Sequence, residues 1–486
     1  MANDPVIRVR MYRQGLGDCL LLTFDPAGAP VHVLIDCGTL GSTTPGVKMA
    51  DVAKDIIAET GGHVHALVVT HEHKDHVSGF TPRNFDGLKA DRTFAAWTEN
   101  PADEDARKLV KYEGDLAAAL RLAANAFAAR AVDRDDPWAL HDVRKGVRQI
   151  LGFVGEAGGE GPLGSDFAET VDAAMKFALG RSGPGGLRYL EPGDVLEEPW
   201  LPGVRVYVLG PPRDLDALKK LGEHGSPELY EMMAQLSSNL GIAAGFAASA
   251  QDYATYRSEL SPAEREEFDR KLPFDSRFRL EADAGGCEAT FPAYYEPDAA
   301  WRRIDEDWLG AASDLALQLD NMTNNTSLAL AFERLSDGRV LLFPADAQLG
   351  NWMSWPGLSF AVTDADGTQR TVTSRDLLRR TVFYKVGHHG SHNATVNAEG
   401  LERMESDELV AMIPLDQTVA KNKEWTMPAP GLYARLIEKT RGRVVRSDTG
   451  WPEDKHIPAD KQAEWKALRE ASGVKVEPMY IQFTLS

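Results

Sequence analysis

The feature that most constrains this chain is a short β-forming run, Ala66-Leu67-Val68-Val69-Thr70, that opens directly onto His71-Glu72-His73-Lys74-Asp75-His76. A run of that length and composition reads as a buried strand. Alternate residues on an extended turn point the same way, so His71 and His73 can grip one ion. Asp75 and His76, on the turn that follows, are placed to grip a second. Imidazole and carboxylate together suit zinc, manganese or iron.

Two more strand ends offer donors. Asp346 follows Val340-Leu341-Leu342-Phe343-Pro344-Ala345, where a carboxylate can bridge two ions. His388-His389-Gly390-Ser391-His392 follows Val382-Phe383-Tyr384-Lys385-Val386-Gly387. His388 sits nearer the strand end and is the ligand expected, with His389 the alternative. Upstream, Asp36-Cys37-Gly38 closes the run Val31–Ile35.

Further β-like runs are Val6–Tyr12, Cys19–Phe24, Val204–Leu209, Ser327–Phe332, Leu409–Ile413, Val444–Arg446 and Tyr480–Phe483. Helical patterns lie between them, at Glu104–Leu122, Pro137–Val154, Asp305–Leu319 and Gly431–Thr440. Ser261-Pro262-Ala263-Glu264 reads as a capping box that opens a helix through Leu272. Strands mixed with helices predict an α/β layered fold. Segments 81–183 and 211–320 hold few strand signals and are expected to be mostly helical insertions into one domain spanning 1–450. Residues 451–486 are expected to form a C-terminal extension ending in a strand.

The chain has 486 residues and a formal net charge of −20, which works against nucleic acid unless a basic groove or metal ions offset it locally. No apolar run approaches the ~18 residues a membrane helix needs. The start MANDPVIRVR lacks the apolar stretch of a signal peptide. Three scattered cysteines do not make a disulfide framework, and Cys19 and Cys37 read as small core residues. A cytoplasmic location is the expectation.

His71-x-His73-x-Asp75-His76 resembles the signature of the metallo-β-lactamase superfamily, and Asp36-Cys37-Gly38 resembles its upstream acidic motif. Within the superfamily the chain is most similar to the soluble domain of ComEC-type DNA-uptake proteins. Gly15-Leu16-Gly17-Asp18-Cys19, Asn324-Asn325-Thr326-Ser327-Leu328, Phe343-Pro344-Ala345-Asp346, Lys385-Val386-Gly387-His388-His389-Gly390-Ser391 and Arg446-Ser447-Asp448-Thr449-Gly450 carry that likeness. It covers residues 5–80, roughly 188–211, and 322–450.

The resemblance implies an αββα sandwich with the metal site at one edge. It implies two divalent ions, zinc first and manganese second. His71 and His73 would hold one, Asp75, His76 and His388 the other, and Asp346 would bridge them. Asp36 would orient a ligand histidine, and Asp18 would lie near the site. Many superfamily hydrolases place a further histidine where this chain has Thr323-Asn324-Asn325. An amide is a poorer zinc ligand than imidazole, so Asn324 and Asn325 point to a weaker or manganese-filled first position.

A bound metal lowers the pKa of water from ~15.7 towards ~7, so hydrolysis by metal-activated hydroxide is the chemistry expected. Asp75 or Asp346 would take the proton from water. His389 and Ser391 would face substrate, and His392 would protonate a leaving group. Phosphodiesters, in nucleic acid or nucleotide, are the substrate the likeness implies. The rival is a small ester, thioester, lactone or lactam, with the insertions as a lid. A third reading is a metal-stabilised binding protein without catalysis, whose insertions dock a protein partner or a second copy.

Overall fold

Strand β2, Cys19–Asp25, shows how this sequence builds its layers: Leu20, Leu22 and Phe24 face one core while Cys19 and Leu21 face another. That period of two is the geometry of a pleated strand buried on both sides. β1, Val6–Tyr12, repeats it, with Ile7, Val9 and Met11 inward. The computed structural model describes residues 5–129, 168–219 and 307–486, apart from 27, 184 and 365, with isolated positions elsewhere.

The fold is α/β with two mixed sheets. The first runs β16-β17-β1-β2-β3-β4-β5-β6, adding β3 (Val31–Cys37), β4 (His63–Val68), β5 (Lys89–Ala96), β6 (Leu187–Leu190), β16 (Val474–Val476) and β17 (Tyr480–Leu485). Its β16-to-β3 half is antiparallel, and β3 to β6 pair in parallel. The second runs β15-β14-β13-β10-β9-β8-β7. Its strands are β7 (Val195–Leu196), β8 (Val204–Gly210), β9 (Ala329–Arg334), β10 (Val340–Phe343), β13 (Thr381–Lys385), β14 (Val410–Ile413) and β15 (Val444–Arg446). β11 (Ser359–Thr363) and β12 (Gln369–Thr373) form a separate hairpin.

One buried cluster joins the two sheets: Ile7, Leu22, Phe24 and Val33 from the first meet Val206, Leu330, Phe332 and Phe383 from the second. Phe24 stacks on Phe332 with ring centroids 5.8 Å apart. Each such large side chain contributes about 1.5–3 kcal/mol when fully buried. The other face of the first sheet is covered by the helices Met49–Thr60 and Ala168–Leu179 through Val52, Ile56, Val171 and Met175. The other face of the second carries Trp352, Trp355, Leu377, Leu436 and Trp465. Trp352 and Trp355 are core residues whose rings pack tilted at 35°, with centroids 3.9 Å apart.

Three expected strands keep their bounds, and the others shift by one to three residues. β5 falls within segment 81–183, expected to be mostly helical, and it pairs with both β4 and β6. Its sequence, KADRTFAA, opens with three charged residues in four and hides the strand. The extension after residue 450 supplies β17, which pairs with β1 along its whole length. The helix expected at Asp305–Leu319 runs Asp307–Asn325, so Asn324 and Asn325 are its last two residues. The helices expected at Pro137–Val154 and Ser261–Leu272, and Cys287, lie outside the described residues apart from isolated positions. Among the described residues, no helix is long and apolar enough to cross a membrane.

Candidate metal centre

The site assembles where β3, β4, β10 and β13 end, on turns that close packing holds in place. A Cβ on Gly38 would fall 2.3 Å from the Asp75 carbonyl carbon and 2.4 Å from the His76 nitrogen. Only glycine lets the end of β3 lie against the main chain of Asp75 and His76. Gly17, at φ +149°, meets the Asp75 carbonyl oxygen in the same way. The next residue, Asp18, donates its N–H to that oxygen at 2.9 Å.

Asp36 stands behind the site in a left-handed conformation, φ 52°, with no exposed surface. Its carboxylate accepts from Thr70 N at 2.9 Å and Thr70 Oγ1 at 2.6 Å. It also holds His76 Nδ1 at 2.7 Å. With Nδ1–H committed there, His76 turns Nε2 towards Asp346 Oδ2, 3.0 Å away. His389 repeats this arrangement. Its Nδ1 lies 2.7 Å from the Pro414 carbonyl, which can only accept. Its Nε2 faces Asp75 Oδ2 at 2.8 Å and Asp346 Oδ2 at 3.6 Å.

Asp75, His76, Asp346 and His389 therefore converge, one donor atom from each lying within 4.8 Å of the others, all buried. Neutral rings held this way would aim lone pairs at carboxylates. Either both rings are protonated or a cation lies among the four. Burial opposes charge on both rings, but Asp346 and its acidic neighbours overcome it. They push His76 well above the usual histidine value and raise His389. Asp75 Oδ1 is buried without a hydrogen-bond partner, and Asp346 Oδ2 faces the His76 and His389 rings. Two imidazoles and two carboxylates are a donor set for a divalent transition metal, and the residues fit one.

His389, the neighbour of the His388 singled out from the sequence, completes the group. Both sit in left-handed backbone, at φ 53° and 42°, and the turn sends their rings apart. His388 donates its main-chain N–H to Asp346 Oδ1 at 2.9 Å, and its Nδ1 meets Gln348 Nε2 at 3.2 Å. Asp320, on the helix Asp307–Asn325, lies close enough to feel His388; burial raises its carboxyl, and His388 draws it back. Nothing in the sequence marked Asp320 or Gln348.

His71 and His73 face one another, Nε2 to Nδ1 at 3.1 Å, and the His71 ring lies 4.2 Å from that of His76. Burial holds His71 well below the ordinary value and His73 at about 4, so both are neutral. The Asn324 side chain lies close enough to His73 to oppose part of the lowering that burial imposes. Asn325 instead ties the helix end to Asn351 and Leu218. Ser391 bonds Asn393, and His392 is exposed and outside the donor groups.

Sequence reasoning also missed Lys385. Its ammonium, 1% exposed, lies 2.5 Å from Asp18 Oδ2, 2.9 Å from Asp346 Oδ1 and 2.8 Å from the Ala345 carbonyl. Burial would lower its pKa, but the two carboxylates raise it. The signal was there: one lysine closing the apolar strand Thr381–Lys385. Three further carboxyls, those of Glu72, Glu99 and Glu113, neighbour one another. Burial, then mutual repulsion, raises Glu99 well above its usual value and Glu113 to about 8. Burial and then Asp172 raise Glu72 to about 7.

The fold and site thus define an α/β protein with a buried histidine–aspartate donor group at its strand ends. No family model matches the chain, and no curated protein or solved structure matches it.

Proposed function

We propose that this chain is a metal-dependent hydrolase of the metallo-β-lactamase superfamily, an αββα sandwich with helical insertions, acting on phosphodiesters. The observation that carries the reading is the convergence of His76 Nε2, His389 Nε2, Asp75 and Asp346 Oδ2, with the far nitrogen of each ring tied to Asp36 or to the Pro414 carbonyl. Those four residues would hold one divalent ion, zinc or manganese. His71, His73 and Asn324 would serve a second, with Asp346 between them. A cation there supplies Lewis acidity and brings the ionisation of water towards neutral pH.

The chain's own residues do the rest. Lys385 and the His388 main-chain N–H occupy Asp346 Oδ1, so this carboxylate presents only Oδ2 to the centre. Asp36 keeps the proton of His76 on Nδ1. Asp75 Oδ1, without a hydrogen-bond partner, is placed to take a proton from attacking water.

The phosphodiester part rests on the likeness of the motifs to ComEC-type domains. A small neutral ester, thioester, lactone or lactam is the second reading. It is favoured by the net charge of −20, which repels a polyanion.

Elemental mass spectrometry of wild type, Asp346→Ala and His389→Ala, paired with hydrolysis of bis-p-nitrophenyl phosphate, tests the proposal. Metal and activity falling together in both variants is the expected result. Metal retained with activity only on p-nitrophenyl esters moves the assignment to acyl substrates. A chain that takes up neither zinc nor manganese overturns it.

A further inference from the structure

A second group of metal-binding side chains lies at the other end of β4. The strand opens His63-Val64-His65, so the two histidines share a face. β5 runs parallel beside it with Val64 opposite Ala90 and Ala66 opposite Arg92, which puts Asp91 level with His65. One donor atom from each of His63, His65 and Asp91 lies within 4.8 Å of the others. His63 Nε2 is 3.0 Å from Asp91 Oδ1, and the two imidazole rings are 4.9 Å apart. Roughly 16 Å of strand, at ~3.3 Å per residue, separates His63 from the end of β4 and the buried centre beyond it.

We propose that His63, His65 and Asp91 form a surface site for a transition-metal ion such as Zn2+, Cu2+ or Ni2+, separate from the buried centre. Two imidazoles and one carboxylate are the right donors for these ions. Because the His63 and Asp91 side chains are 43% and 53% exposed, the remaining coordination positions belong to water. The site is therefore of the open kind, holding its ion less tightly than a closed four-ligand site.

His65 is the anchor. Its ring stacks on Trp200 with centroids 6.1 Å apart and planes at 23°. Its Nδ1 receives the main-chain N–H of His32 at 3.1 Å. Burial and the neighbouring His63 lower its pKa, so a lone pair is present at neutral pH. Uptake of an ion must break the contact with His32 whichever nitrogen is used. Ligation through Nδ1 takes the lone pair that now accepts the amide. Ligation through Nε2 moves the ring proton to Nδ1, which then cannot accept. Binding is thus coupled to release of the His32 amide, and it changes the environment of Trp200.

The test titrates the full-length chain, stripped with a chelator, with Zn2+ and counts bound metal after gel filtration. His63→Ala and Asp91→Asn should each bind the surface zinc at least about tenfold more weakly than wild type, and so retain one zinc fewer after gel filtration. Asp346→Ala should keep this ion, which separates the site from the buried centre. Cu2+ should quench the fluorescence that Trp200→Phe removes, and His63→Ala should abolish that quenching. Zn2+ should speed hydrogen exchange at the His32 amide in wild type only. Equal zinc counts in wild type and His63→Ala, or quenching unchanged by that substitution, would overturn the proposal.

Discussion

Replacing Lys385 with methionine tests the electrostatic core of the site. Among the described residues, Lys385 is the one lysine in contact with Asp18 and Asp346, at 2.5 and 2.9 Å, and all three side chains are 1% exposed. A single ion pair at 4 Å is worth about 4 kcal/mol at an effective dielectric of about 20. Desolvation of both partners offsets much of that. Removing one partner strands the other, and for a buried pair that costs about 3–5 kcal/mol. At ~2 °C per kcal/mol for a large domain, Lys385→Met should melt roughly 6–10 °C below wild type when both are measured with chelator present. The loss should shrink as pH falls, because burial raises the Asp18 carboxyl and a protonated Asp18 no longer needs the ammonium. Zinc or manganese at a hundred times its dissociation constant adds about 2.7 kcal/mol to any protein that binds it. The variant should regain more than wild type, because the ion also neutralises the stranded carboxylates. Near-UV circular dichroism melts read all of this. A loss below about 1 kcal/mol, or the same metal-induced gain in both proteins, would refute the claim that Lys385 holds two ionised carboxylates in the centre.

Asp36→Asn removes the acceptor that holds His76 Nδ1 and two Thr70 donors. Metal affinity should fall about 10–100-fold, as read by competition with a chromophoric chelator, while the fold persists. Glu113 has its folded pKa raised from 4.5 to about 8, first by burial and then by Glu72. A raised pKa stabilises below the unfolded value and loses that contribution as pH rises through the folded one. Glu113→Gln should therefore match wild type near pH 4 and exceed it by about 1–2 kcal/mol at pH 9 in urea titrations, a figure reduced for partial exposure. Equal stability at pH 9 would count against the buried carboxyl.

How much of this was legible depended on whether the signal was local. Val6–Tyr12, Val340–Phe343 and Val444–Arg446 are written in β-branched and aromatic residues, and their bounds follow. β5 escaped because its charged residues cluster at the start of the strand, while the four that close it, Phe94 included, are buried. His71, His73, Asp75 and His76 were readable because one turn carries them all. Which of His388 and His389 completes the group was not, since adjacent residues are separated only by two left-handed backbone conformations. Lys385 reads in isolation as a strand-end surface residue. Its role exists only once the β1–β2 turn brings Asp18 to it and β10 delivers Asp346. Asp320 depends on how the end of a long helix docks, which no local pattern encodes.

The charge balance of the centre yields its own prediction. Asp18, Asp36, Asp75 and Asp346 are all buried within one network, against the single ammonium of Lys385. Four buried carboxylates are not left unbalanced, because an uncompensated buried charge is costly. In the metal-free protein protons must make up the difference, and the raised pKa values of His76 and His389 place two of them on those rings. A metal ion among the same atoms needs both rings neutral, so uptake must displace the protons. Near pH 6.5 binding should release close to two protons per ion, measured by calorimetry in buffers of different ionisation enthalpy. The number should fall as pH rises past the raised pKa of His389. Binding without proton release would mean either that the rings were neutral from the start or that the ion binds away from His76, His389, Asp75 and Asp346, and would refute this account of the charge balance.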